Sequence, residues 1–334
     1  MVNRIAVTDD IFRGTTAYPP LQRPNSVWLL GLVQPIFAKL TDLQPYIWFK
    51  NYWKILGLPS HDTSWARCYF SKPNANLIKD IAGELSGSLV LTFETSYLLQ
   101  AALDANDIPW IDLSVGPLRF LEDLTITFKF SRHFNLEGMD EFFINDVDVA
   151  GSVARVREFY GNVVPFWTGS VIFFAQTSSD LTLVSKRGFY SIKDVIPELQ
   201  QLAQQRPIFV KPHPFALDNP VVSLLVSDCN AKIIEENTYA LLAKGDDCLF
   251  TTISSSVGYE ATAFGNNSVM FNTKMMDWIS GRRASMFCYR DYRFWSAILS
   301  QVMAVKPVFE EPVKVQPNYF RNQVSYYSLD KAIW

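Results

Sequence analysis

The sequence predicts an α/β protein built from two Rossmann-like units with parallel sheets. Three observations carry this. The chain has 334 residues, and at about 150 residues per domain that length suggests two units. Apolar runs of strand length alternate with amphipathic runs of helix length, the pattern of βα repeats. In the second half that alternation recurs several times with little between the elements.

Taken in order, residues 87–93 (GSLVLTF) read as a buried strand, 97–105 as a helix and 110–113 as the next strand. Residues 161–168, with Pro165 and turn formers, read as a linker. This places an N-terminal α/β unit at 1–163 and a C-terminal nucleotide-binding unit at 164–334. In the latter, strands are expected at 170–175, 207–210, 232–234, 248–251 and 268–271. Helices are expected at 191–205, where Val195, Ile196, Leu199 and Leu202 share one face, at 239–244 and at 257–264. A last helical stretch, 289–305, is expected to cross back to the first unit.

Composition narrows the function. Lys plus Arg number 30 against 33 for Asp plus Glu, a formal net charge of −3, which argues against a nucleic-acid partner held by phosphate neutralisation. Apolar residues make up 49%, enough for sizeable cores and incompatible with global disorder. Residues 27–40, the most apolar early stretch, contain Gln34, Pro35 and Lys39 and are too short to span a bilayer. The opening residues, among them Asn3, Arg4, Asp9 and Asp10, do not read as a signal peptide. Four scattered cysteines, without a CxxC pair, and three histidines give no zinc pattern. Neither GxGxxG nor a P-loop is present. The aromatic content of 14% assigns most rings to cores and leaves those at 46–53 and in the tail for an acceptor or a membrane.

Four polar segments carry candidate chemistry, three of them just beyond a predicted strand, where open α/β sheets bind ligands. Gln176-Thr-Ser-Ser-Asp180 follows the 170–175 strand; it reads as a turn or cap, or as a carboxylate, Asp180, facing the cleft. Lys211-Pro-His213-Pro holds a lysine and a histidine on a turn stiffened by two prolines. That arrangement suits a phosphate, with His213 able to donate to a departing oxygen. Ser254-Ser255-Ser256-Val-Gly-Tyr-Glu260 enters a helix, as simple N-caps or as an anion site, with Glu260 in the first turn or available to a ribose. In the first half, Glu94 ends a strand, as a capping residue or as a general acid or base.

The ordered set Gln176-Thr-Ser-Ser-Asp180, His213-Pro and Ser254-Ser-Ser-Val-Gly-Tyr-Glu-Ala resembles the bacterial β-Kdo glycosyltransferases of capsule and lipopolysaccharide O-antigen assembly. The likeness covers residues 170–272, under a third of the chain, and its His-Pro and serine motifs are shared more loosely with CMP-sialic acid-dependent transferases. It implies a GT-B-type pair of domains, CMP-Kdo as donor and retention of anomeric configuration. Carried over residue by residue, Asp180 is the nucleophile of a double displacement and His213 the partner of the CMP phosphate. Gln176, Thr177, Lys211, Ser254, Ser255, Ser256 and Glu260 bind the donor, and Glu94 is the weakest transfer, as acid/base. No cofactor or metal is expected, since CMP carries a single phosphate that His and helix N–H groups can neutralise. The charge of an acidic sugar would be offset by Lys211, Arg187 or Arg119.

The resemblance further implies a cytoplasmic enzyme at the inner face of the membrane, acting on a glycan carried by a lipid. The tail from Tyr319 to Trp334 mixes aromatics with cations, as a peripheral contact or a packed terminus. Competing readings are a transferase of sialic acid or another CMP-nonulosonate, a GT-B-shaped UDP-sugar epimerase, and a non-catalytic scaffold. The chain also reads as a possible module of a larger synthase.

Overall fold

The computed structural model describes residues 2–13, 24–50, 52, 62–177, 180–214, 220–273, 282–285, 291–308, 317–323 and 333. Strands β1 (Arg4–Asp9), β2 (Pro45–Ile47), β3 (Ser88–Phe93) and β4 (Trp110–Val115) are parallel, and β5 (Thr125–Phe130) pairs antiparallel with β4. After β6 (Val171–Phe174) comes a short hairpin, β7 (Val184–Ser185) and β8 (Gly188–Phe189). Then follow β9 (Ile208–Lys211), β10 (Lys232–Ile233), β11 (Leu249–Thr252) and β12 (Asn267–Met270). A last strand, β13 (Arg282–Ser285), returns antiparallel to β5.

The strand orders are β13-β5-β4-β3-β1-β2 and β10-β9-β6-β11-β12. The second, wholly parallel, has the 3-2-1-4-5 order, the doubly wound Rossmann order short of its sixth strand. Each sheet has one point where the chain reverses direction of growth: between β1 and β3 in the first, between β6 and β11 in the second. Crevices outside the carboxyl ends of such neighbouring strands are where this architecture holds ligands.

Successive strand residues point to opposite faces, so each sheet is coated twice. Ile5, Val7, Leu89 and Leu91 meet the helix Pro24–Leu40 and the late helix Tyr292–Leu299. Ala6 and Val90 face the helices Asp62–Cys68, Ala75–Leu85 and Tyr97–Ala105 on the other side. In the second sheet Val171 and Phe173 cover one face, and Ile172 and Phe174 the other. Helix Pro24–Leu40 runs through Pro35, which the sequence reading takes as an interruption. Pro35 and Gly31, whose carbonyl the ring displaces, both lie on the solvent face, where water can satisfy the freed group.

The two units exchange parts. Leu118, Phe120 and Leu121, from the loop after β4, are buried in the core of the second sheet, with Phe120 edge-on to Phe264 at 4.9 Å. Helix Asp146–Phe159, which precedes residue 163, packs there too through Val153 and Val156. In the opposite direction, Leu181 and Val184 are buried in the core of the first sheet, and Phe189 packs on Trp65. Each unit thus carries a hydrophobic plug from the other.

Several expectations are corrected. The helix expected over 191–205 is a 3-10 turn, Ile192–Asp194, followed by a helix Ile196–Ala203. Pro197 sits in the first turn of the latter, where its missing N–H costs nothing, so the helix starts there. The rings at 46–53 are not an outward platform: Trp48 and Tyr52 are buried in the first core, and Tyr46 and Phe49 pack against it, while Trp53 lies outside the described residues. The tail's helix Tyr319–Gln323 is a packed terminus, with Phe320 and Arg321 each 1% exposed. Its continuation through Tyr326 and Tyr327 to Trp334 lies, except for buried Ile333, outside the described residues. No helix among the described residues is long and apolar enough to cross a membrane.

Candidate functional site

Asp180 is fixed from both units. Its Oδ1 accepts the Thr182 N–H at 2.9 Å and the Thr182 hydroxyl at 2.8 Å, which caps the 3-10 turn Leu181–Leu183. That turn leads into the plug residues Leu181 and Val184, so the carboxyl group is anchored to the first core. The other anchor is Gln176, at the end of β6. Its Nε2 donates to Thr182 Oγ1 at 2.8 Å, and its Oε1 accepts the Ser254 N–H at 2.8 Å and the Thr252 hydroxyl at 3.3 Å. Ser254 Oγ reaches Thr182 Oγ1 at 3.1 Å. Gln176 and Ser254, expected to touch the donor, are instead 6% and 0% exposed. They tie the ends of β6 and β11 to the Asp180 turn and position it. Thr177 is half-buried beside them; Ser178 and Ser179 lie outside the described residues.

Ser255 and Ser256 lead into the helix Val257–Ala263 at the second sheet's reversal point. Ser256 Oγ makes no cap bond, and Ser255 is half-buried. Gly258, inside the serine motif, has a packing role. A Cβ there would run into the Met270 side chain on β12, so only glycine lets this helix lie so close to the sheet.

Glu260, on the same helix, is 1% exposed. Its Oε1 accepts the Arg119 N–H at 2.8 Å and the Tyr239 hydroxyl at 3.2 Å. The expected ribose contact is not what this carboxyl group makes here; it pins the loop exchanged from the first unit. Burial raises its pKa to about 7 against the opposing pull of the Arg119 charge.

Glu94 follows β3 directly, at the first sheet's reversal point. Its N–H bonds the Leu113 carbonyl at 2.9 Å, and its backbone holds φ at 50°, left-handed for a residue with a Cβ. Such a conformation costs about 1 kcal/mol or more and is concentrated at functional sites. Burial, then the charges of Asp180 and Asp112, raise the Glu94 carboxyl to about 7, while Arg119 and Arg13 oppose the rise. Behind it, Asp112 accepts the Thr92 hydroxyl at 2.6 Å and the Thr95 N–H at 3.1 Å. Across the β4–β5 pair it stands opposite Lys129, whose pKa burial lowers.

His213, two residues beyond β9, is half-buried. Burial lowers its pKa below the usual value, the Asp180 charge pulls the other way, and Arg119 adds to the lowering. Lys211 is turned aside, its Nζ donating to the Glu235 carbonyl at 2.9 Å. The charges of Asp180 and Arg119 therefore both act on Glu94 and on His213. Arg119 was only one of three open cations in the sequence. Its centrality depends on a contact 141 residues away, to Glu260, which no local pattern signals.

No protein-family model matches the chain, and no curated protein matches it by sequence. Among solved structures, similarity is found to "Thermosulfurimonas dismutans KpsC, beta Kdo 2,7 transferase" at 11% identity and a TM-score of 0.43, over 80% of this chain and 78% of that one. The beta Kdo 2,4 transferase of the same KpsC is similar at 18% identity and 0.37, over 55% and 69%. UDP-GlcNAc 2-epimerase from Neisseria meningitidis, bound to UDP-GlcNAc, is similar at 10% and 0.32, over 80% and 82%. Likenesses this distant leave the functional reading to the chain's own residues.

Proposed function

We propose that this chain is a retaining glycosyltransferase that moves Kdo from CMP-Kdo to a saccharide acceptor. The observation that carries the reading is that Asp180, after β6, acts through its charge on both Glu94, at the end of β3, and His213, beyond β9. In the first step the Asp180 carboxylate attacks the anomeric carbon. The bond to the phosphate oxygen breaks, and its electron pair leaves with CMP. His213, neutral at rest because burial disfavours its charge, donates a hydrogen bond to that oxygen. Ser255 and Ser256, at the start of their helix, take the phosphate oxygens.

In the second step an acceptor hydroxyl attacks the same carbon from the face CMP has left, and Asp180 departs as carboxylate. Glu94 takes the hydroxyl proton; its raised pKa suits it to that task near neutrality. Two displacements restore the original configuration. CMP carries one phosphate, so the scheme needs no metal. The acceptor is read as a glycan on a lipid carrier at the inner membrane face.

Intact-mass spectrometry after mixing with CMP-Kdo tests this. The wild type is expected to show a sugar adduct that maps to Asp180, and Asp180→Asn to bind CMP but form none. An Asp180→Asn enzyme transferring at the wild-type rate would remove the nucleophile assignment. Preference for UDP over CMP in binding would favour epimerase chemistry, and turnover of CMP-sialic acid alone would replace the sugar.

A further inference from the structure

The proposed donor brings two negative groups, a phosphate and the sugar carboxylate beside the anomeric carbon, into a site already lined by Asp180 and Glu94. A cation must meet the second group, and the sequence leaves three in contention. Arg187 is exposed on the turn of the β7–β8 hairpin. The Lys211 ammonium is committed to the Glu235 carbonyl. A fourth cation, Arg13, which the structure brings close enough to act on Glu94, lies over the Trp65 ring at 4.6 Å.

Arg119 is placed differently. Its residue is held on both sides: the N–H by Glu260 Oε1 at 2.8 Å, and the carbonyl by Arg321 Nη2 at 3.0 Å. Arg321 is itself buried, its guanidinium also bonding the Leu121 carbonyl at 2.7 Å and Asn318 Oδ1. Asp123 closes the clamp by accepting the N–H groups of Phe320 at 2.8 Å and Arg321 at 3.0 Å. The loop is thus fixed by the tail beneath it, by Phe120 plugged into the second core and by Glu260. Arg119 is half-buried on this loop, which runs from the end of β4 into the second core, and its charge acts on Glu94, His213 and Glu260.

We propose that Arg119 is the specificity-determining residue that receives the carboxylate of the donor sugar. A guanidinium matches a carboxylate with two parallel N–H donors, which an ammonium cannot do. The inference rests on the CMP-sugar reading above and adds what would make the site select an acidic sugar over a neutral one.

The test is calorimetry in the Asp180→Asn background, which keeps the donor intact, with CMP and CMP-Kdo as the two ligands. Arg119→Gln keeps the backbone anchors and removes the charge; a thermal melt confirms folding. The expected result is a CMP affinity within twofold of the parent and a CMP-Kdo affinity lower by about 10- to 150-fold, the loss of a charged hydrogen-bond partner. Arg119→Lys is expected to recover part of it. An equal loss for both ligands would make Arg119 a phosphate residue and overturn the inference, as would no loss for either. A folded parent that binds neither ligand would overturn the donor reading itself. Were Arg119→Gln unfolded, Arg119→Lys would decide, since a carboxylate fork predicts weaker CMP-Kdo binding with CMP unaffected.

Discussion

Replacing Glu94 by glutamine separates the two halves of the proposed reaction. The substitution keeps shape and hydrogen-bonding reach but removes the group that takes the acceptor proton. The fold lifts that carboxyl group from an ordinary 4.5 to about 7. A rise of this size makes its conjugate base about 300-fold more avid for a proton, worth roughly 3 kcal/mol at 1.36 kcal/mol per pKa unit. At pH 7 about half the molecules then hold Glu94 in the proton-accepting form. Loss of a positioned base costs about 10²- to 10⁴-fold. The first displacement needs no base, so Glu94→Gln should release CMP in a burst equal to the enzyme concentration and then stall as the adduct. Rapid-quench measurement of CMP together with intact mass reads both phases. In the wild type only ionised Glu94 accepts a proton, so turnover should climb with pH and level off above about 7; in the variant that rising limb should vanish. A variant that shows no burst, or keeps the limb, would refute the assignment of Glu94.

Two further outcomes follow from the packing and the buried acids. Glu260 binds its proton more tightly in the fold than in the unfolded chain, so its contribution to stability is full below about 4.5 and is lost as pH rises towards about 7. Glu260→Gln should therefore flatten the fall of stability across that window, gaining about 3 kcal/mol at most at pH 8, by urea titration at pH 5 and pH 8. Phe120→Ala, which empties the fully buried plug in the second core, should cost about 3–5 kcal/mol in the same assay. A loss below about 1 kcal/mol would mean that the exchanged loop is not part of that core.

The central strands of the second sheet were legible because β6 (VIFF) and most of β9 (IFVK) are short apolar runs closed by a polar turn. The first sheet was harder. β2 has three residues, and β5 alternates as TITFKF between two antiparallel neighbours, so neither matches a buried parallel run. Asp180, His213, Ser255 and Ser256 were picked out from sequence since each follows a strand of the second sheet, and the structure keeps them beyond β6, β9 and β11. Whether a polar side chain faces the cleft or a neighbour could not be read that way. Gln176, Ser254 and Glu260 look like ligands by type, yet they spend their bonds on Thr182, Thr252 and Arg119. The plugs were illegible for a related reason. Leu118, Phe120, Leu181 and Val184 sit in segments that locally resemble loops, and only contacts made far along the chain give their apolar character a purpose.

The traded plugs also bear on how such a chain can diversify. A chimera that keeps the first half and takes a new second half, joined within 161–168, would keep a Phe120 fitted to the lost second core and gain a residue at 184 fitted to another first core. Each graft would meet a socket it did not evolve with. Recombination that keeps the packing intact therefore has to carry residues 117–123 with the second half and 180–190 with the first. The unit of inheritance here is not the half-chain but each lobe together with the piece it borrows.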